Sequence, residues 1–152
     1  MSIFKAYDIR GVYGSELTED TAYKLGRAFV ILLKCKTVAV GHDMRDSSPS
    51  IEKELIRGLT EQGADVVRIG MATTPMLYFA VAKFEYDAGI NITASHNPGN
   101  YNGFKLVEKN AIPISGESGI YKLEKLVQKG KFVEKKKRGK VSTKKGVLED
   151  YV

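Results

Sequence analysis

Residues 37–92, TVAVGHDMRDSSPSIEKELIRGLTEQGADVVRIGMATTPMLYFAVAKFEYDAGINI, carry the pattern that decides the fold. Thr37 to Gly41 is a short apolar run of strand type, and Ala64 to Ile69 and Tyr86 to Ile92 repeat it. Two segments of helical period lie between them. Ser48-Pro49 reads as an N-cap and first helical position, and Ile51, Leu55, Ile56 and Leu59 carry that helix to Gly63. Thr74-Pro75 opens the next, with Leu77, Val81 and Phe84 on one side. Strand, helix, strand, helix, strand predicts right-handed crossovers and a largely parallel, mixed sheet covered on both faces. The fold class is α/β, a three-layer α/β/α arrangement in a single domain.

Working outward, Thr18 is an N-cap with Glu19 and Asp20 in the first turn, where the helix dipole favours anions. Ala22, Leu25, Phe29, Leu32 and Leu33 follow at helical spacing. A last helix, around Glu117 to Lys129, is predicted to bury Ile120, Leu123 and Val127 and to stop at Gly130. The 152 residues suit one domain with its own core. Phe29 to Leu33 is far too short an apolar run to span a bilayer, and the first residues, MSIFKAYD, lack the apolar stretch of a signal peptide. The only cysteine, Cys35, excludes an internal disulfide and a Cys-rich metal site, sits at the end of an apolar helix face as a packing residue, and fits a reducing cytoplasm. No membrane partner is expected.

The formal charge of +6 is local. Residues 131–145, KFVEKKKRGKVSTKK, hold eight Lys/Arg against one Glu, leaving sixteen basic and seventeen acidic residues elsewhere. With one aromatic, Phe132, and no recognisable binding motif, this run reads as a solvated hairpin or loop, and no nucleic-acid partner is expected. A nucleic-acid-binding domain would instead show steeply salt-dependent association with RNA or DNA.

The last strand feeds Thr93-Ala94-Ser95-His96-Asn97-Pro98-Gly99-Asn100-Tyr101-Asn102-Gly103-Phe104-Lys105. Asn, Pro and Gly hold a chain in restricted turns, and one serine with basic neighbours in such a turn suits holding a phosphoryl group. A Ser-His hydrolase fits worse: the G-x-S-x-G elbow is absent, and adjacent residues on an extended chain point to opposite sides. Gly103 reads as part of an Asn-Gly turn. Loops after parallel strands share the carboxyl edge of a sheet, where ligands of open α/β sheets bind. The His42–Ser48 loop and the Thr93–Gly103 loop are therefore expected to face one cleft, with Arg45 and Ser95 within reach of one anion. Asp43 and Asp46 offer Arg45 a different part, as partners that retain it as a loop brace.

Four pieces in one order carry a resemblance. They are Phe4-Lys5-Ala6-Tyr7-Asp8-Ile9-Arg10-Gly11, Val40-Gly41-His42-Asp43-Met44-Arg45-Asp46-Ser47-Ser48-Pro49, Thr74-Pro75-Met76-Leu77-Tyr78-Phe79-Ala80, and the loop from Thr93 to Lys105. From residue 3 to about 128 the chain resembles the first domain of the alpha-D-phosphohexomutases, in their phosphomannomutase/phosphoglucomutase branch. Those enzymes interconvert hexose 1-phosphate and hexose 6-phosphate through a phosphoserine and a hexose 1,6-bisphosphate, which also serves as activator. The resemblance implies Ser95 as the phosphoryl carrier and Lys105 as general acid/base. It further implies His96 positioning the phosphoserine or sugar, Arg10 and Tyr7 reaching the serine loop and substrate, Asn97 bracing the loop, and Arg45 near phosphate. Without that role, Arg10 is expected merely to pair with Asp8, and Lys105 to be an exposed strand lysine. The implied cofactor is Mg²⁺, held by a phosphoserine oxygen of Ser95 together with aspartates of a second domain. His42 stands where many relatives carry arginine.

Residues 1–145 then correspond to domain I, and residues 146–152 to the start of a linker toward further domains. No Asp-x-Asp-x-Asp series occurs, so the chain alone is expected to lack mutase activity and to bind Mg²⁺ weakly. Its expected partners are a hexose phosphate and the remaining domains of a longer enzyme, with self-association through an uncovered apolar interface. The competing reading from another class is a non-catalytic phosphosugar-binding module using the same loop.

Overall fold

In the strands, alternate residues serve two different cores. A computed structural model describes residues 2–133 and 135–152. In chain order its elements are β1 (Ile9–Val12), α1 (Glu19–Leu33), β2 (Thr37–His42), α2 (Ser48–Glu61), β3 (Asp65–Met71), α3 (Thr74–Lys83), β4 (Ala88–Ile92), β5 (Tyr101–Glu108), β6 (Ile112–Pro113), α4 (Tyr121–Lys129), β7 (Val141–Thr143) and α5 (Val147–Tyr151). The sheet order is β1-β5-β4-β2-β3-β7, with β6 paired to β5. β2 pairs parallel with β3 and β4, and β3 pairs parallel with β7, while β5 runs antiparallel to β1, β4 and β6. Among the described residues only β5 is therefore reversed in an otherwise parallel sheet.

One face packs Val38, Val40, Ile90, Ile92, Phe104 and Leu106 against Leu25 and Phe29 of α1, Leu55 and Leu59 of α2 and Leu123 of α4. The other packs Ala39 and Val107 against Leu77, Ala80 and Val81 of α3 and Val147 of α5. These are the three layers the periodicity predicts. Thr18 caps α1 as expected, its hydroxyl accepting from Thr21 N–H at 3.3 Å while Thr21 Oγ1 accepts from Thr18 N–H at 3.2 Å. Burial pushes the Cys35 thiol up to about 12, as suits a packing residue.

Helices α1 and α2 cross at two glycines. A methyl group on Gly58 would overlap the Tyr23 carbonyl, and one on Gly26 would come 2.5 Å from the Leu55 carbonyl. Alanine gains about 1 kcal/mol in helix propensity, and the backbone overlap costs more. Gly58→Ala should therefore lower stability by about 1–3 kcal/mol in chemical denaturation. Unchanged stability would mean that the helices do not approach this closely.

Several expectations change. Ser48 is the first residue of α2, not its N-cap; Ser47 takes that position and makes no side-chain cap bond. The last helix opens with a wide π-type turn, Gly116–Ile120, before α4, and Val127 is only partly buried. The stretch expected as a solvated hairpin or loop instead contributes β7, a parallel edge strand, because Gly139 and Lys140 are held by Thr60 O and Asp65 Oδ1. Lysines flanking that open edge discourage pairing with another chain. Within the last seven residues, Val147–Tyr151 form α5 on α3, with Val147 buried and Tyr151 edge-on to Phe79 at 5.4 Å. Apolar side chains give that segment something to pack on. Among the described residues, no helix is long and apolar enough to cross a membrane.

Candidate active site

The loops after β2, β3 and β4 meet at the carboxyl edge of the sheet. They enclose a cavity of about 710 Å³ whose lining includes Asp43, Met44 and Arg45, the turn from Met71 to Met76, Asn91, Thr93, Ser95, His96 and Leu148. The first turn of α3, capped by Thr73 accepting from Met76 N–H, opens onto it.

Ser95 is exposed and adopts φ +55°, a left-handed conformation that non-glycine residues rarely take. Such a conformation persists only where surrounding bonds over-determine it. Those bonds are present. Ser95 N–H donates to Thr93 Oγ1 at 3.0 Å, and Asn97 Nδ2 donates to Ala94 O at 2.7 Å. Arg45 NH2 donates to Ser95 O (3.0 Å) and Asn97 O (2.8 Å), and its NH1 donates to Pro98 O (2.6 Å) and Tyr101 O (3.1 Å). Its Nε donates to Asp43 Oδ2 at 3.0 Å. All five guanidinium donors are thus committed, three to loop carbonyls and one to the Tyr101 carbonyl at the start of β5. Arg45 is placed as a brace and keeps no donor for an anion in this arrangement, because the bent loop presents its carbonyls inward.

Asp43 anchors the brace. Burial pushes its carboxyl up, but the Arg45 backbone N–H, the Thr93 and Ser48 hydroxyls and the Arg45 guanidinium together hold it below the usual aspartate value. Ser48 Oγ donates to Asp43 Oδ1 at 2.9 Å, and fully buried Asn102 donates to Ser47 Oγ at 2.7 Å and Ser48 Oγ at 3.1 Å. The network joins α2, β5 and the serine loop. A carboxyl lowered on folding contributes stability above its unfolded value, about pH 3.9, and loses it as pH falls through the folded value. Denaturation midpoints should therefore drop below about pH 4, and less steeply in Asp43→Asn. Parallel acid profiles for the two proteins would remove Asp43 from this role.

The remaining expected residues divide. His96 is exposed on the cavity wall. Asn97 shares a separate cavity of about 240 Å³ with Arg10, Lys5 and Tyr101. Tyr7 is 78% exposed. Lys105 lies on β5 opposite Asn91 and pairs with Asp8 at 3.0 Å, whereas Arg10 is 3.9 Å from the same carboxylate. The simple Arg10–Asp8 pair is thus the looser half of a three-membered group. Expected as one loop from 93 to 105, the segment becomes strand at Tyr101, and Asn102-Gly103 is no turn. Gly103 is needed because a Cβ there would overlap the Ile9 carbonyl of β1. Asn102, Ser47 and Ser48 are the parts sequence reasoning passes over as site-forming, while Asp43 takes the bracing part expected as one of two alternatives for Arg45.

The family described as "Phosphoglucomutase/phosphomannomutase, alpha/beta/alpha domain I" matches residues 1–134. A phosphomannomutase of Klebsiella pneumoniae is 46% identical over 154 residues, covering all of this chain and 98% of that protein. A phosphomannomutase of Escherichia coli is likewise 46% identical over all of this chain, which spans only 34% of its length. The crystal structure of a phosphoglucomutase/phosphomannomutase family protein from Burkholderia thailandensis superposes with a TM-score of 0.78 at 39% identity, over 94% of this chain and 32% of that one. This chain belongs to the phosphoglucomutase/phosphomannomutase family, as its alpha/beta/alpha domain I.

Proposed function

We propose that Ser95 is the phosphoryl carrier of a hexose-phosphate mutase, exchanging phosphate between C1 and C6 of a hexose through a bisphosphorylated sugar. The observation that carries this reading is the exposed hydroxyl at a left-handed residue, held by its loop bonds over a cavity at the carboxyl edge. Positioning is most of what phosphoryl transfer asks of a protein, since in-line geometry and charge neutralisation dominate its barrier. In the forward half-reaction the Ser95 O–P bond breaks as a sugar hydroxyl oxygen bonds phosphorus, and the hydroxyl proton passes to a base. Returning the sugar's other phosphate to Ser95 completes an isomerisation without hydrolysis. Lys105 is assigned the proton transfer, His96 and Arg10 contacts to phosphate or sugar, Tyr7 a sugar contact, and Asn97 and Arg45 the bracing of the loop.

Magnesium would neutralise the transferred group. Among the described residues no cluster of three or more His, Cys, Asp or Glu is placed to hold a metal. The side chains here do not form a magnesium cage, and the one ligand assigned to this chain is a phosphate oxygen on Ser95. Relatives three times as long are consistent with further domains supplying the other ligands, the sugar contacts and the cover for the Met44, Met71 and Leu148 rim.

The test is a chimera in which residues 1–152 replace the aligned third of the Escherichia coli phosphomannomutase. It should turn over hexose 1-phosphate in a coupled assay and carry a phosphoryl mass on Ser95, while the 152-residue chain alone shows no turnover. A folded chimera that binds phosphosugar without turnover or Ser95 phosphorylation would favour the binding-module reading instead.

A further inference from the structure

We propose that Asp8 is a positioning residue of this site, its buried carboxylate tethering Lys105 closely and Arg10 loosely; the inference rests on the reading of Ser95 as phosphoryl carrier. The antiparallel register sets Ile9 beside Phe104 and Arg10 beside Gly103. Continued by one residue, it brings Asp8 beside Lys105, on the face opposite the Phe104 core. Gly103 allows β1 to close on β5, since a side chain there would meet both the Ile9 carbonyl and Arg10 Cα.

Asp8 is 8% exposed, and a carboxylate that buried needs a cation. A single partner would satisfy that need. Two converge: Lys105 Nζ at 3.0 Å from Oδ2, and Arg10 Nε at 3.9 Å from Oδ1. One carboxylate thereby sets the spacing of both cations. Tyr78 on α3 is the other titratable group that feels Asp8, its hydroxyl pushed up by burial first and by the Asp8 charge second. Arg10 shares a cavity with Asn97 of the serine loop, and Lys105 lies on β5, the strand into which that loop runs. An untethered lysine samples many rotamers, so the tether replaces a cloud of positions with one.

The experiment uses the 152-residue chain. In ¹⁵N spectra of the lysine side chains, Lys105 should give an ammonium signal sharpened by slow exchange, assigned by its loss in Lys105→Arg. Trace acetylation should modify Lys105 several-fold more slowly than exposed Lys109. Asp8→Asn should abolish the signal and equalise the two labelling rates, and Asp8→Glu should restore both. Lys105 labelled as fast as Lys109 in the wild type overturns the tether, and this comparison decides even where Asp8→Asn fails to fold. Neither readout involves phosphoryl transfer, so the tether and the Ser95 assignment fail separately. In the chimera, Asp8→Asn should reduce kcat about a hundredfold with little change in KM, and Asp8→Glu should recover most of it. An unchanged kcat overturns the positioning role.

Discussion

Turnover by the chimera is expected to fall by at least about 10⁴-fold when Ser95 becomes alanine. No neighbouring group substitutes. His96 follows on the loop, but a histidine there would need the φ +55° apex and its bracing bonds rebuilt around a different side chain. Thr93, a hydroxyl two positions before it, is 7% exposed and engaged with Ser95 N–H and Asp43. The loss should appear in kcat, together with disappearance of the phosphoryl mass. Because the loop is held through the Ser95 backbone, Ser95→Ala should keep the wild-type denaturation midpoint to within about 0.5 kcal/mol. Retention of more than about 1% of turnover in a folded Ser95→Ala chimera would transfer the phosphoryl carrier elsewhere.

Arg45→Ala is expected to be the most damaging change at the loop. It strips donors from four carbonyls and leaves Asp43, a half-buried carboxylate, without its cation. The Arg45 side chain is 11% exposed, so solvent screening is slight. Breaking such a pair from one side costs about 3–5 kcal/mol. That should move chemical denaturation of the chain by a comparable amount and reduce chimera kcat by about a hundredfold through misplacement of Ser95. Arg45→Lys should rescue little, since an ammonium has three donors and no planar fork. Wild-type stability in Arg45→Ala would show that the carbonyls find water as easily as guanidinium.

The parts legible along the chain are those with local causes. Thr18 caps α1 because its hydroxyl reaches a residue three positions on. Thr37–Gly41 and Ala88–Ile92 are strands because short runs of that kind, closely bounded by loop residues, favour strand over helix. The serine loop is conspicuous for its turn residues, and the order of four motifs carries the family resemblance.

Other features depend on residues far apart. Asn102-Gly103 has the spelling of a turn, and it is strand because β1 lies against it and Gly103 lets it lie close. Arg45 next to Asp43 and Asp46 has the makings of either an anion contact or a loop brace. Which it becomes depends on the carbonyls of Ser95, Asn97, Pro98 and Tyr101, some fifty positions away. Lys105 has no partner nearby in sequence; only strand register delivers Asp8.

The division follows the range of the forces. Side-chain periodicity, capping and turn propensity act within a few residues, so the order and type of the main elements, and the loop that bears the serine, were written in the chain itself. Strand neighbours, the sign of one φ angle and the partner of each buried charge come from contacts between distant segments. Those contacts form only when burial of the two cores draws the segments together, and they turn a recognisable loop into a defined site.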